Sequence, residues 1–370
     1  MKIGVLTSTR ADFGIYYPLL KQLQQDKLFE IEIIAFGTHL KKEYGYTINE
    51  IKELGFVVNH TIETHTANDT PEDISRSIGN TVSTFSGFWN RYTFDLVLAL
   101  GDRYEMFAAV SSASPYNIDF AHIHAGETTL GAIDNAYRHS ISVMSKYVFV
   151  TTEQYKRRAA QVLNSGEFVF NVGALSIDNL KNQKLLTKEE FYNAYNIDLN
   201  RPSILSTFHP ETVSYKKNEE YIKELIKAFK VLNNKYQIII TLPNTDTMGD
   251  VIRNELKRFQ VAAPQVKLVE SFGMIGYLSC MKYASFLLGN TSSGFVEASF
   301  FPKWVINIGN RQEGRIVTQN ILNVPVKKEH ILKAVTVVES TPLPYGTNIY
   351  GDGNAAANIV TIIKQIYGLE

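Results

Sequence analysis

The chain has 370 residues, 45% of them hydrophobic and 20% charged, a length that favours two domains over one and a composition ordinary for a soluble globular enzyme. A formal net charge of +0 and a pI near 7.1 argue against a broad nucleic-acid surface, while leaving room for local positive charge around a small anion. The single cysteine, Cys280, rules out an internal disulfide and suits a reducing cytoplasm, and the sequence has neither a signal-type leader nor an apolar run of the ~18–20 residues that span a bilayer.

In chain order, residues 2–6 are an apolar run of the kind that opens an α/β domain, and they empty into Thr7-Ser8-Thr9-Arg10-Ala11-Asp12-Phe13-Gly14. A helical stripe follows over 15–23, with Ile15, Leu19, Leu20 and Leu23 on one face. Such a strand-to-helix turn offers unpaired N–H groups and a partial positive charge to a phosphate, and Arg10 adds a forked cationic donor. The plainer alternative is that Arg10 and Asp12 pair and cap the helix. The chain contains no G-x-G-x-x-G after this strand and no Walker lysine, so the strongest signatures of NAD and ATP sites are missing.

Strands are predicted over 31–36 and, more weakly, 56–62, with a helix over 75–90. The richest stretch is LVLALGDRYEMFAAVSSASPYNIDFAHIHAGETTLGAIDNAYRH, residues 96–139. It predicts strands over 96–100 and 120–124 and helices over 106–113 and 135–146. Short apolar runs without alternation read as strands buried on both faces, and open α/β sheets bind ligands at the carboxyl ends of such strands. Asp102, Arg103, His122, His124, Glu127 and Asp134 therefore belong to a cleft edge. Acidic groups beside histidines are what proton transfer at a sugar carbon needs. A metal site is the rival reading, because His122 and His124 would face the same side of a continuing strand. Alternatively one of the two is buried and pins neighbouring backbone. No H-E-x-x-H or comparable spacing supports metal.

A strand over 147–150, a helix over 154–163 and a strand over 168–172 close the first half, and the alternation predicts βαβ units and a parallel sheet. The charged stretch KNQKLLTKEEFYNAYNIDLNRP marks 176–202 as a linker after a first domain at 1–175. The rhythm restarts with strands over 203–208, 236–242, 266–269, 286–288 and 305–308, and helices over 221–232, 251–259, 275–283 and 295–300. A second domain is assigned to 203–353, and the helix at 354–370 has apolar spacing suited to docking onto the first.

Several strand ends of this half carry polar residues. His209, in Phe208-His209-Pro210-Glu211-Thr212, is placed to donate to phosphate or move a proton. Asn244 ends the next strand in a similar way. Phe272 offers a ring to a base or belongs to the core. Gly289-Asn290-Thr291-Ser292-Ser293-Gly294-Phe295-Val296-Glu297 turns from strand to helix. There Ser292 and Ser293 could cradle phosphate and Glu297 could accept from a diol, or the hydroxyls simply cap the helix. Arg311 and Arg315 follow the strand at 305–308, to hold an anion or to pair with Glu313.

The segments TSTRADFG, FGTHLKKEYGYT, LALGDRYEMFAA, HIHAGETTLGAIDNAYRHSISVMSKYVF, FHPETVS, LPNTDTMG, LLGNTSSGFVEA and NIGNRQEGR run in order over nearly the whole chain. Together they resemble the UDP-N-acetylglucosamine 2-epimerases. The similarity is greatest to the hydrolysing bacterial branch that feeds sialic acid synthesis, and to the epimerase half of the vertebrate bifunctional enzyme. The resemblance implies an α/β fold of two doubly wound Rossmann-like domains facing across a cleft, as in GT-B glycosyltransferases, with UDP mostly on the C-terminal domain. It places Arg10, Arg103, His209, Asn244, Ser292, Ser293, Glu297 and Arg311 at nucleotide-contacting positions. Asp102, Asp134 and His209 fall on catalytic or structurally essential positions. Where much of the family has Glu, this chain has His124, with Glu127 three residues on, so the acid/base role falls to either His124 or Glu127.

The implied reaction removes the C2 proton as UDP leaves C1, giving a 2-acetamidoglucal. Water then adds and a proton returns to C2 from the other side. The resemblance requires neither nicotinamide nor metal, and it implies a UDP-linked sugar substrate, no nucleic-acid or membrane partner, and a homodimer or homotetramer, which the 12% aromatic content permits. The same mechanism on a UDP- or GDP-linked 2,4-diacetamido-2,4,6-trideoxyhexose, on the legionaminic acid route, or a GT-B glycosyltransferase, are the alternatives.

Overall fold

The computed structural model describes residues 1–64, 70–243, 249–343 and 345–369. Seven strands form the first sheet: β1 (Lys2–Thr7), β2 (Glu30–Phe36), β3 (Val58–Ile62), β4 (Leu96–Leu100), β5 (Phe120–Ala125), β6 (Tyr147–Val150) and β7 (Val169–Asn171). Their order is β3-β2-β1-β4-β5-β6-β7 and every pairing is parallel. Six more strands form the second: β8 (Ser203–Thr207), β9 (Gln237–Thr241), β10 (Lys267–Val269), β11 (Phe286–Gly289), β12 (Val305–Ile308) and β13 (Ile321–Val324). They run β10-β9-β8-β11-β12-β13, again parallel. Every residue of β4, β5, β6, β8, β9, β11 and β12 is buried, as expected of strands covered by helices on both faces.

In each sheet the winding reverses once, between β1 and β4 in the first and between β8 and β11 in the second. Such reversals open a crevice at the carboxyl ends of the two central strands. In the first sheet those ends lead into Thr7-Ser8-Thr9 and Gly101-Asp102. In the second they lead into Phe208-His209 and Asn290-Thr291. The strand predictions had placed polar residues at these four ends, and the topology makes them the ligand-facing ends of each sheet.

The chain divides differently from the expected scheme. The first unit comprises 1–127, 134–182 and 349–370, and the second comprises 128–133 and 183–348. Residues 176–202, expected as a linker, are structured instead. Helix Leu175–Asn182 belongs to the first unit, where buried Asp178 accepts the amides of Ala355 and Ala356 at 2.9 and 2.7 Å and so caps helix Ala355–Tyr367. Helix Lys188–Tyr195 belongs to the second unit and opens with a Thr187/Glu190 capping box. Its Phe191 is fully buried, and burying one such ring stabilises by roughly 2–3 kcal/mol, more than a charged surface face contributes. The charge run was the solvent side of this helix. Strand β13 and helix Lys328–Ser340 were not expected. Strand β13 gives little sequence signal because it is an edge strand with only Ile321 buried, followed by Pro325, whereas the helix carries a plain stripe of Ile331, Ala334, Val335 and Val338 that was passed over.

Candidate active site

The first unit's site begins at a local break in β5. His122 lies in regular strand and is fully buried. Its Nε2 lies 2.7 Å from the Gly101 carbonyl, which can only accept, so Nε2 carries the proton; Nδ1 faces the Ser142 hydroxyl at 2.9 Å. Burial pushes its pKa down to about 4, against the opposing pull of the Gly101 carbonyl, and the ring stays neutral near pH 7. His122 therefore ties the β4–Asp102 turn to the helix Asp134–Val143 that carries Ser142. Of the alternatives for the two histidines, this is the buried, backbone-pinning one.

His124 does not share the side of His122, contrary to the alternation expected of a continuing strand. Its φ is +64°, and the register against β6 slips between Ile123 and Ala125. A left-handed residue breaks the two-residue period and redirects the side chain. His124 Nδ1 meets Glu127 Oε1 at 3.2 Å, while its Nε2 is buried with no hydrogen-bond partner among the described residues. Gly126 makes the turn between them possible: its φ is +73°, and a Cβ there would lie 2.4 Å from the Tyr155 carbonyl oxygen. The metal reading of His122, His124 and Glu127 fails on this geometry, because both His122 nitrogens face the Gly101 carbonyl and Ser142. Among the described residues no three His, Cys, Asp or Glu side chains converge as ligands.

Arg138, which drew no attention in the sequence, is the hub. It is 2% exposed and sits on helix Asp134–Val143. One of its nitrogens donates to the Glu127 carbonyl at 2.9 Å, and the other is ion-paired with Asp102 Oδ2. A single guanidinium thus joins Asp102 to the turn that holds His124 and Glu127. Asp134 opens the same helix, one turn before Arg138, and with Glu105 adds to the burial that raises the Tyr137 hydroxyl. Arg103 precedes helix Tyr104–Ser112 and forks onto fully buried Glu105, Nε to Oε2 at 3.1 Å and a terminal nitrogen to Oε1 at 3.0 Å. Glu105 was also missed, since an acidic residue in a first helical turn reads as an ordinary dipole partner.

At the end of β1 the cap reading prevails for Asp12. Thr9 and Asp12 form a capping box, and the Asp12 carboxylate also accepts the Ser8 amide at 2.7 Å and the Ser8 hydroxyl at 3.0 Å. An internal anion therefore already fills the place the turn offered to a phosphate. Arg10 is half-buried, and its charge opposes the burial that raises the Glu50 carboxyl.

In the second unit, His209 is held by its backbone. Its N–H donates to Asn290 Oδ1 at 2.7 Å and its carbonyl accepts from Asn290 Nδ2 at 2.8 Å, across the β8–β11 reversal. Gln312 supports Asn290 through its carbonyl at 2.8 Å, and Arg315 donates to Gln312 at 2.6 Å. Glu211, 2% exposed, accepts the Asn310 amide at 2.6 Å and the Arg311 amide, and burial still raises its carboxyl. Gly309, with φ +78°, clears the way, because a Cβ there would lie 2.3 Å from Glu211 Oε1. His209 and Arg311 are thus carried on loops tied to one another through Glu211. Residues 128–133 pack onto the same loops: the Leu130 amide donates to the Glu313 carbonyl at 2.8 Å, and the Ile133 amide to Thr212 Oγ1 at 2.8 Å.

The Thr291–Glu297 segment is not a capped helix start. Ser292–Gly294 is a single 3-10 turn, and the four-residue helix Glu297–Phe300 receives no side-chain cap. Ser292 is exposed and Ser293 and Glu297 are half-buried. Phe272 is corrected from base stacking to core: it is 4% exposed and packs on Phe191 and Tyr195, with ring centroids 5.3 and 4.8 Å away. Asn244 lies outside the described residues.

A family model described as UDP-N-acetylglucosamine 2-epimerase matches residues 21–364. The GDP/UDP-N,N'-diacetylbacillosamine 2-epimerase (hydrolyzing) of Campylobacter jejuni is 38% identical over 323 residues, covering 87% of this chain and 84% of that one. The polysialic acid biosynthesis protein P7 of Escherichia coli is 33% identical over 368 residues, covering 98% and 94%. Among solved structures, the UDP-GlcNAc 2-epimerase of Neisseria meningitidis bound to UDP-GlcNAc superposes with a TM-score of 0.83 at 19% identity, over 99% of this chain and 100% of that one. That of Methanocaldococcus jannaschii in complex with UDP-GlcNAc and UDP gives 0.82 at 20% identity, over 99% and 100%. At these identities the structural likeness shows the fold.

Proposed function

Because the chain belongs to the UDP-N-acetylglucosamine 2-epimerase family, we propose that it is a hydrolysing 2-epimerase that converts UDP-N-acetylglucosamine and water to N-acetylmannosamine and UDP. The observation that carries the proposal is the His124–Glu127 pair, with Nδ1 on the carboxylate and Nε2 buried and unpartnered. With Nδ1 donating to the carboxylate, Nε2 is the acceptor nitrogen that a general base needs.

In this reading the C1–O bond to the diphosphate breaks and the electron pair leaves with UDP. His124 Nε2 takes the C2 proton, and the C1–C2 double bond of 2-acetamidoglucal forms. Glu127 orients the ring and stabilises its protonated form. Water then adds its hydroxyl to C1, and a proton goes to C2 on the opposite face, with Asp102 and Asp134 as the carboxylates that serve this half. The C2 proton is weakly acidic, so departure of the diphosphate leads. Arg10, Arg103, His209, Ser292, Ser293 and Arg311 are assigned to that charge, Glu297 to the ribose diol and Asn244 to the nucleotide. The scheme calls for no nicotinamide and no metal. A cytoplasmic homodimer or homotetramer is part of the same proposal.

A second reading keeps the mechanism and changes the sugar to a UDP- or GDP-linked 2,4-diacetamido-2,4,6-trideoxyhexose. It is favoured by the 38% identity to the Campylobacter jejuni relative, whose name gives that class of substrate. Both sugars should be offered side by side in deuterium oxide. Release of UDP and the 2-epimeric free sugar with deuterium at C2 is expected, and the ratio of kcat/KM values assigns the substrate. UDP release without C2 exchange would sink the mechanism.

A further inference from the structure

Beneath the Thr291–Gly294 turn the second unit holds a line of hydroxyls of which the reaction scheme uses only Ser293. The Tyr277 hydroxyl, on helix Gly273–Tyr283, lies 2.6 Å from Ser293 Oγ. Ser293 Oγ lies 3.2 Å from Thr291 Oγ1. On its other side Tyr277 is hydrogen-bonded to Thr207, at the end of β8, and Thr207 to Thr241, at the end of β9. Thr207, Tyr277, Thr291 and Gly294 also line a small cavity with room for about one water, ≈ 10 Å³. Gly289 brings the strands together here, since a Cβ on it would lie 2.1 Å from the Thr207 carbonyl oxygen.

The proton count of this line decides what it can do. Each hydroxyl brings one proton and can accept as well. The five groups Thr241, Thr207, Tyr277, Ser293 and Thr291 are joined by four hydrogen bonds, each consuming one proton. One proton is therefore left to be donated outside the line. A phenol is the strongest donor among these hydroxyls, and burial pushes the Tyr277 pKa up to about 12, so the group keeps its proton throughout the working pH range. When Tyr277 donates to Ser293, the Ser293 oxygen is satisfied as an acceptor. The proton left over then belongs to Ser293 or Thr291, at the turn, rather than to the buried threonines.

We propose that Tyr277 is a positioning residue of the nucleotide site, one that holds the Ser293 side chain, through the 2.6 Å bond between their hydroxyls, in the rotamer that offers the spare proton of the Thr291–Ser293 pair to the diphosphate of a nucleoside diphosphate. The proposal rests on the assignment of Ser293 to the diphosphate. Tyr277 itself touches no substrate. It acts on the ligand only through Ser293, and this separates its role from that of a packing residue. Removing its hydroxyl leaves the ring in place but frees the Ser293 side chain to leave the rotamer that the 2.6 Å contact holds.

The test is a double-mutant cycle on the full chain, read by the dissociation constant of UDP. Tyr277→Phe and Ser293→Ala are each expected to weaken UDP about tenfold, and the double variant also about tenfold rather than a hundredfold, because Tyr277 acts on the ligand only through Ser293. Thermal midpoints of all three should stay close to that of the native protein, since Phe keeps the ring. Additive losses in the double variant, or an unaltered affinity in Tyr277→Phe beside a weakened Ser293→Ala, would overturn this inference and leave the nucleotide assignment standing. No UDP binding by the native protein, or an unaltered affinity in Ser293→Ala, would overturn that assignment and this inference with it. If Tyr277→Phe fails to fold, Tyr277→Trp, which offers an N–H in the same helix position, replaces it, and retention of near-native affinity by that variant supports the donor role while a tenfold loss overturns it.

Discussion

Glu127 contributes one carboxylate oxygen to His124 Nδ1 and its own backbone carbonyl to Arg138, so the residue orients one functional group through its side chain and another through its main chain. Replacing it with Gln keeps the shape and both of those contacts available, and removes only the charge that stabilises a protonated imidazole. Glu127→Gln is therefore expected to lower kcat by roughly 10²–10³-fold, the range of a positioned acid–base group, with KM changed by no more than about threefold. Steady-state UDP release measures both, and a loss confined to KM would remove Glu127 from the proton-transfer machinery. The role of His124 became readable only with its backbone. A single residue at φ +64° overturns the alternation on which strand reasoning depends, and nothing in Phe-Ala-His-Ile-His-Ala announces that His124 rather than Ile123 will take the left-handed conformation.

At the scale of elements, the segment 128–133 shows how closely the second unit's loops are fitted. A Cβ on Gly131 would meet the Asn310 carbonyl oxygen at 2.3 Å, its carbon at 2.6 Å and Arg311 Cα at 2.7 Å. All three are backbone atoms and cannot turn aside as a flexible side chain would. Gly131→Ala should force the segment off the 310–311 backbone, with an overpacking cost of about 1–3 kcal/mol that appears as a lower urea midpoint at unchanged m. Gly79→Ala is the control. It sits inside helix Pro71–Trp89 with nothing within 4 Å of the added carbon, and should gain up to about 1 kcal/mol from helix propensity. Equal effects of the two changes would show that the close approach at Gly131 is not felt. The helices and strands were largely legible in the sequence, because hydrophobic period is a local property. The 128–133 excursion was not, because a run of Thr, Leu, Gly, Ala and Ile between strand and helix carries no mark of the unit against which it packs.

For the whole molecule, the pH dependence of stability sums over every group whose pKa differs between folded and unfolded chain, and near neutral pH the buried histidines lead. His122, His39 and His139 are all pushed below their ordinary values by burial, His122 to about 4. The unfolded chain takes up a proton on each near pH 6.5, whereas folded His122 takes one only near pH 4. Between those values the unfolded state binds more protons, so the His122 contribution is complete above pH 6.5 and is lost as pH falls toward 4, on the order of 3 kcal/mol in all. Half-buried Glu50 and buried Asp178 and Glu211, whose carboxyls burial raises, act in the opposite sense at the acid end. The His122 share is isolated by comparison with His122→Gln, which keeps a donor for the Gly101 carbonyl. The stability gap between native and variant should widen as pH rises from about 4 to 6.5. A gap independent of pH would mean that His122 protonates alike in both states.

The sequence by itself determined the class of fold and the strand ends that carry the candidate site residues. Buried parallel strands must be apolar throughout, and loops at their carboxyl ends are where polar residues can face a ligand, so Asp102, His124, His209 and Ser292 were marked by position in the pattern. Only the tertiary structure decided how those residues are partnered. Arg138 reaches Asp102 across 36 residues of chain and Asn290 clamps His209 across 81, and separations of that size leave no trace in a local period. The same reason explains Phe272, whose ring looked available until Phe191 and Tyr195, from a stretch expected to be a linker, closed over it. Where a residue sits along its own strand or helix follows from the covalent chain. Which group meets it across the fold follows from the packing of elements far apart in sequence.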